Sequence, residues 1–453
     1  MSDGAGNEVG SGGDPSRLKR QVGVGGAIVL GLGSIVGTGV FVSIGIAVGV
    51  IGPAVIAAIV VAALVATCNA LSSAQLAANH PTSGGTYEYG HRWLVPWVGF
   101  VAGWMFLCAK SASAATAALG VIAYARRLGV STDADWDPLL AVGVVVAVTL
   151  MVLLGLRRSN RVNTILVAST MVILVIFVVS GIAPAVSSLE KFSTPFWLPA
   201  EGTSTAASFA EACALMFVAF TGYGRIATMG EEIKEPRRNI PTAMISTLVV
   251  SMVLYVAVAA VAAVAAVAAV GVSAAGVDVF ETSGSGAPAP LERAAGQLGG
   301  PGLSRLVAVG AVLAMLGVLL NLVLGLSRVA LAMGRRGDLP PILAKLDSRG
   351  ESPTAAVVVV GLLIAAMTTL GDVHTTWSFS AFTVLVYYAL TNLAALRLSK
   401  EERLYPAWIS VVGLLACGFL AFWVDPDVWL SGLGVLGAGL ALRPIVRAIY
   451  SRS

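Results

Sequence analysis

The sequence predicts an all-α integral membrane protein of about twelve transmembrane helices. Of its 453 residues 57% are hydrophobic and only 11% are charged, where a soluble domain carries roughly 25% charge. Apolar runs recur along the whole chain, most of them reaching the roughly 20 residues needed to cross about 30 Å of hydrocarbon. The runs are continuous blocks of Ala, Val, Leu and Ile, not the alternating segments of a membrane barrel, so the spans are helical.

The first five runs cover 22–50, 52–79, 93–124, 138–156 and 162–186. The next five cover 206–230, 242–270, 303–333, 354–371 and 374–398, and 406–424 and 428–447 close the chain. Residues 1–21 are rich in Gly, Ser and Asp and then turn basic, which predicts a disordered cytoplasmic tail. No A-x-A-like site follows the first run, so it reads as span 1 and not as a removed signal peptide. Connections are short except for about 271–302, which contains the amphipathic piece Pro290–Leu298. Such a long loop suits a lid, and a plain connector fits it equally well.

Net charge is only +4, but its placement is informative. Lys and Arg collect in loops that stay on the cytoplasmic side. Arg17, Lys19 and Arg20 precede span 1, Arg157, Arg158 and Arg161 follow span 4, and Lys234, Arg237 and Arg238 follow span 6. The pattern continues with Arg335, Arg336, Lys345 and Arg349 after span 8, Arg397, Lys400 and Arg403 after span 10, and Arg443, Arg447 and Arg452 at the end. Opposite loops hold chiefly Arg126, Arg127, Lys191 and Arg293. Both termini are therefore expected in the cytoplasm, with the chain in a cytoplasmic or plasma membrane.

Several function classes are disfavoured. No basic, aromatic-interleaved soluble segment points to nucleic acid. Cys68, Cys108, Cys213 and Cys417 fall inside spans without metal-site spacing, and His80, His91 and His374 are scattered, so no metal, cofactor or catalytic group is assigned. No soluble domain is large enough for a nucleotide fold, which counts against an ATP-driven pump.

Span 1 carries Gly31-Leu-Gly-Ser-Ile-Val-Gly-Thr-Gly-Val-Phe41, placing four glycines in an apolar run. Each weakens a helix by roughly 0.8–1 kcal/mol relative to Ala. Span 6 has its own interruption at Phe217-Val-Ala-Phe-Thr-Gly-Tyr-Gly-Arg225. Interrupted spans at corresponding places, here the first helix of each five-helix half, point to a binding site at the interface of inverted repeats. Breaking a helix in hydrocarbon frees N–H and C=O groups that a ligand can satisfy. Amides near Gly37, Thr38 and Gly39 suit a carboxylate. Carbonyls near Ile35, Val218, Ala219 and Thr221 suit an ammonium, so one zwitterion fits both. Close helix packing is the competing explanation for such glycines.

These residues resemble the amino acid, polyamine and organocation (APC) transporter superfamily over nearly the whole chain after the tail. The resemblance rests on Gly33–Phe41, Ala70–Ala77, Pro81–Tyr89, Gly99–Trp104, Phe217–Tyr223, Glu231–Pro241, Ser327-Arg328 and Ala332–Pro340, in that order. It implies two inverted five-helix repeats, 22–190 and 206–398, then two peripheral helices and a cytoplasmic end in 399–453, working by alternating access. It also implies an amino acid substrate, with its carboxylate at Thr38 and Gly39 and its amino group at the carbonyls of Ile35, Val218, Ala219 and Thr221. Val218 stands where many members place a gating aromatic, which leaves Phe217 and Phe220 as gate candidates. Gln75 replaces a frequent acidic residue. Gly224 and Arg225 stand where relatives often have an acidic and then a small residue. Thr170 occupies the position of a lysine found in proton-coupled members.

Lys110 lies near the centre of span 3, where a charge costs about 2.5–3.5 kcal/mol. With Thr170 it is a coupling candidate: it could brace the unwound part of span 1 and exchange a proton, or form a static ion pair. Arg225 could neutralise Glu211, Glu231 or an anionic substrate, a structural pair being favoured. The expected function is secondary amino acid transport, proton-coupled or by exchange. Polyamine or organocation exchange is the alternative, with a channel or a non-transporting receptor outside that class.

Overall fold

The computed structural model describes residues 18, 20–130, 134–187, 197, 199, 202–270, 289–347, 352–371 and 373–450. Most of the expected tail, residues 188–190 of the first expected repeat and residues 271–288 of the long connection lie outside the described residues. Regular structure among the described residues is helical, apart from two isolated β-bridges.

The first half contains α1 (Val24–Ile35), α2 (Ile44–Ile51), α3 (Val55–Asn79), α4 (Thr86–Trp93), α5 (Pro96–Arg127), α6 (Asp137–Leu153) and α7 (Leu156–Ser187). There follow α8 (Thr205–Phe220), α9 (Gly224–Thr228), α10 (Pro236–Val270), α11 (Pro290–Arg335), α12 (Thr354–Thr368) and α13 (Val373–Leu396). The last two are α14 (Ala407–Leu420) and α15 (Pro426–Tyr450).

Among the described residues, eight helical stretches are long and apolar enough to cross a membrane, and three shorter apolar helices accompany them. The first stretch, Val24–Asn79, has 56 residues, far more than one crossing needs. Gly52, at φ 67°, turns it back between α2 and α3, a conformation that costs glycine nothing. A second glycine, Gly300 at φ 68° and ψ −165°, separates the amphipathic Pro290 piece from the long apolar part of α11.

The helix α5 forms the centre, packed against α11 and α13. Its polar residues Lys110, Ser111, Ser113 and Thr116 are all buried. Hydroxyl pairs join α5 to α13, Ser113 with Ser380 and Thr116 with Thr376, each at 2.7 Å. In hydrocarbon such interhelical bonds add to packing because lipid offers no partner. By contrast, Leu139, Val179, Leu362 and Phe419 point outward, as lipid-facing side chains do.

The element α4 lies outside every expected span but for its last residue, Trp93. Its residues, Thr-Tyr-Glu-Tyr-Gly-His-Arg-Trp, are too polar to register as an apolar run. Gly84 and Gly85 precede it at φ 115° and 56°, and it packs on α5 and α13.

Candidate functional site

Helix α1 stops in mid-run at Ile35. Val36 donates its N–H to Leu32 at 2.7 Å and then leaves helical geometry at φ −81°, ψ 89°. The chain re-enters a helix through a π turn at Gly39–Ser43, where Val40 and Phe41 donate to the Gly37 carbonyl at 3.1 and 2.9 Å. Among the described residues, no turn, loop or cap hydrogen bond is donated by the N–H of Gly37, Thr38 or Gly39. These amides open the second helical segment, where the helix dipole is positive. The glycines admit neighbours that a side chain would exclude. A Cβ on Gly37 would lie 2.9 Å from the Ala314 carbonyl oxygen, and one on Gly39 would meet the Tyr255 hydroxyl and Ala219.

The second interruption is gentler. Helix α8 tightens into a 3-10 turn at Thr221–Tyr223 and resumes as α9. Its carbonyls are engaged locally: Thr221 Oγ1 donates to Val218 at 2.7 Å, and Tyr388 Oη donates to Thr221 at 3.1 Å. The two interruptions meet at Tyr255 of α10, whose hydroxyl lies 2.7 Å from the Ile35 carbonyl oxygen and 3.2 Å from that of Ala219. Phe220 stacks obliquely on Tyr255 with ring centroids 5.0 Å apart, and Phe217 packs edge-on to Tyr388 at 5.7 Å.

Lys110 reaches the second interruption, where its ammonium donates to Thr221 Oγ1 at 2.5 Å. Thr170 is buried on α7, its hydroxyl has no hydrogen-bond partner among the described residues, and no hydrogen bond joins it to Lys110. Nor does Glu231 answer Arg225, because it pairs with Arg335 at 2.9 Å. Sequence patterning gave no weight to Tyr255. The available signal was the one tyrosine of span 7.

Ion pairs and hydrogen bonds link the segments on the face carrying the basic loops. Glu231 also accepts from the backbone N–H of Leu18 and Ser83, at 3.2 and 3.1 Å. Glu232 and Arg328 form a buried pair at 2.7 Å. Asp338 accepts from Tyr87 at 2.8 Å, Arg443 at 2.8 Å and Arg447 at 3.0 Å, with His91 at 3.5 Å. Burial alone would raise the Asp338 pKa, but the neighbouring His91 imidazole and hydrogen bonds from Arg443 and Tyr87 outweigh it and hold the carboxyl below the usual carboxylate range. A depressed folded-state pKa adds stability above the unfolded value that is lost as pH falls through the folded one. Asp338→Asn should therefore melt below wild type across the neutral range. That margin should shrink only below about pH 4, as thermal unfolding across pH would show.

The sequence profile of the family described as Amino acid permease matches residues 26–440. The chain belongs to the amino acid permease family. The permease is 37% identical over 439 residues to an uncharacterised transporter of Mycobacterium tuberculosis, covering 97% of this chain and 94% of the relative. It is also 27% identical to a branched-chain amino acid permease of Bacillus subtilis, over 96% and 94% of the two chains. A methylthioribose transporter of the same organism is 25% identical over 94% and 92%. These findings make the permease a multi-pass membrane protein of a transporter family.

Proposed function

We propose that the permease is a secondary transporter of amino acids, holding the zwitterion between the two helix interruptions and working by alternating access. The observation that carries this reading is the Tyr255 hydroxyl lying within hydrogen-bond distance of two carbonyls from different helices, Ile35 and Ala219. An ammonium brings three donors to a place where the hydroxyl has one. In this reading Gly37, Thr38 and Gly39 take the carboxylate. Ile35, Val218, Ala219 and Thr221 take the ammonium, and Phe217 and Phe220 close over the side chain. Lys110 and Thr170 stand as the coupling candidates, for proton-driven uptake or exchange, and no covalent chemistry is involved.

The reading includes two inverted five-helix repeats, 22–190 and 206–398, followed by two more helices. Interruptions in the first and sixth spans support it. The basic loops support cytoplasmic termini.

Counterflow in proteoliposomes, with labelled amino acids, a polyamine and methylthioribose, tests the substrate class. Saturable exchange of at least one amino acid is expected, and exchange of the polyamine or methylthioribose alone would refute it. Tyr255→Phe supplies a second check. The substrate-free protein should lose about 1–3 kcal/mol as two carbonyls lose their donor. The substrate-induced rise in melting temperature should exceed that of wild type, because the ammonium restores what the hydroxyl supplied.

A further inference from the structure

We propose that Lys110 and Arg225 together bind a single negative charge, supplied either by a carboxylate on the transported amino acid's side chain or by a small inorganic anion such as chloride. The side-chain assignment rests on the reading of the interruptions as an amino acid site. Both cations line one interior cavity, together with Ser34 at the end of α1, Thr221 and Gly222 at the second interruption, and Gly325 of α11. Its volume is about 10 Å³, room for roughly one water-sized group, so a side-chain carboxylate enters only as the surrounding helices part.

The Arg225 side chain is buried at 3% exposure, and Nε and both terminal nitrogens lack a hydrogen-bond partner among the described residues. Its stem lies on Gly325, where an added Cβ would stand 3.0 Å from Cδ. Lys110, at 5% exposure, has one hydrogen bond among the described residues, to the neutral Thr221 hydroxyl. A buried charge is costly unless paired and hydrogen-bonded, and here two like charges share a cavity with no carboxylate lining it. Glu232 pairs with Arg328, and the carboxylates Glu231 and Glu88 pair with Arg335 and Arg336. Glu232 keeps one oxygen, Oε2, without a partner, which makes an internal Arg225–Glu232 pairing the competing outcome. A cationic substrate side chain would be repelled from this cavity, and an anionic one drawn to it.

The test is thermal unfolding of the full-length protein purified in halide-free HEPES buffer. L-glutamate, L-aspartate, L-leucine and L-lysine are titrated separately, as is sodium chloride against sodium gluconate at equal ionic strength. Saturable stabilisation by an acidic amino acid identifies the side-chain carboxylate, and stabilisation by chloride identifies an inorganic anion. Either response should weaken by about ten-fold or more in Arg225→Gln and persist in Arg225→Lys, as expected for a lost charge contact. Should Arg225→Gln not fold, Lys110→Met is read in its place. Stabilisation by leucine with no response to acid or chloride overturns the anion site and leaves amino acid transport standing. So does a response unchanged in Arg225→Gln, which points to internal pairing with Glu232. A chloride response with no amino acid response sinks the substrate reading and leaves the anion site intact.

Discussion

Gly222→Ala is expected to abolish transport while leaving a membrane-inserted protein. The two interruptions touch here through backbone: a Cβ on Gly222 would stand 2.5 Å from the Ser34 carbonyl carbon, 2.6 Å from its oxygen and 2.5 Å from Ile35 Cγ1. A flexible side chain could yield to such a contact, but the end of α1 cannot move without carrying the Ile35 carbonyl and the Gly37–Gly39 amides with it. Overpacking of this kind costs about 1–3 kcal/mol in stability. The larger effect should fall on function, because both halves of the proposed zwitterion site would be displaced relative to each other. Initial uptake rates in proteoliposomes should drop below about a tenth of wild type, far beyond what the stability loss explains. Gly143→Ala is the control, since an added Cβ there meets nothing within 4 Å. Equal uptake by the two variants would contradict the account.

Removing one member of the Glu232–Arg328 pair should give the largest stability loss of any single substitution. Both side chains are buried, at 1% and 0% exposure, and the Glu232 carbonyl also accepts the backbone N–H groups of Gln21 and Val22 at 2.9 Å. Arg328→Met leaves a buried carboxylate facing an apolar group, and Glu232→Gln leaves a buried guanidinium. Each should cost about 3–5 kcal/mol, whereas the double variant should recover much of that loss, because an uncompensated charge is worse than no charge. Thermal unfolding of the two single variants and the double variant measures this directly. A double variant less stable than both singles would show that the pair is worth more than its desolvation.

Most of the helical architecture was legible because its signal is local. Length and hydropathy place a span wherever about 20 apolar residues run together, and α5 and α13 fall within three residues of the expected runs. The interruption after Ile35 was legible for the same reason, since glycines at 31, 33, 37 and 39 act on their own helix. The α4 helix was not, because its polar and aromatic residues carry no hydropathy signal and its place depends on α5 and α13. Pairings were the least legible. Lys110 and Thr221 are 111 residues apart, and Tyr255 and Ile35 are 220 apart. Composition shows that Lys110 and Arg225 are costly in a membrane, but not that they share one cavity.

In the proposed mechanism, backbone groups at the two interruptions hold the two charged ends of one amino acid. The most direct measurement takes the amino acid that exchanges best in counterflow and compares its binding to the purified permease with that of two analogues. One analogue is its amide, which lacks the carboxylate, and the other is its deaminated acid, which lacks the ammonium. Each analogue is expected to lose at least about ten-fold in affinity, the value of a charge-assisted hydrogen bond. An analogue missing either group that binds as tightly as the parent amino acid would contradict it.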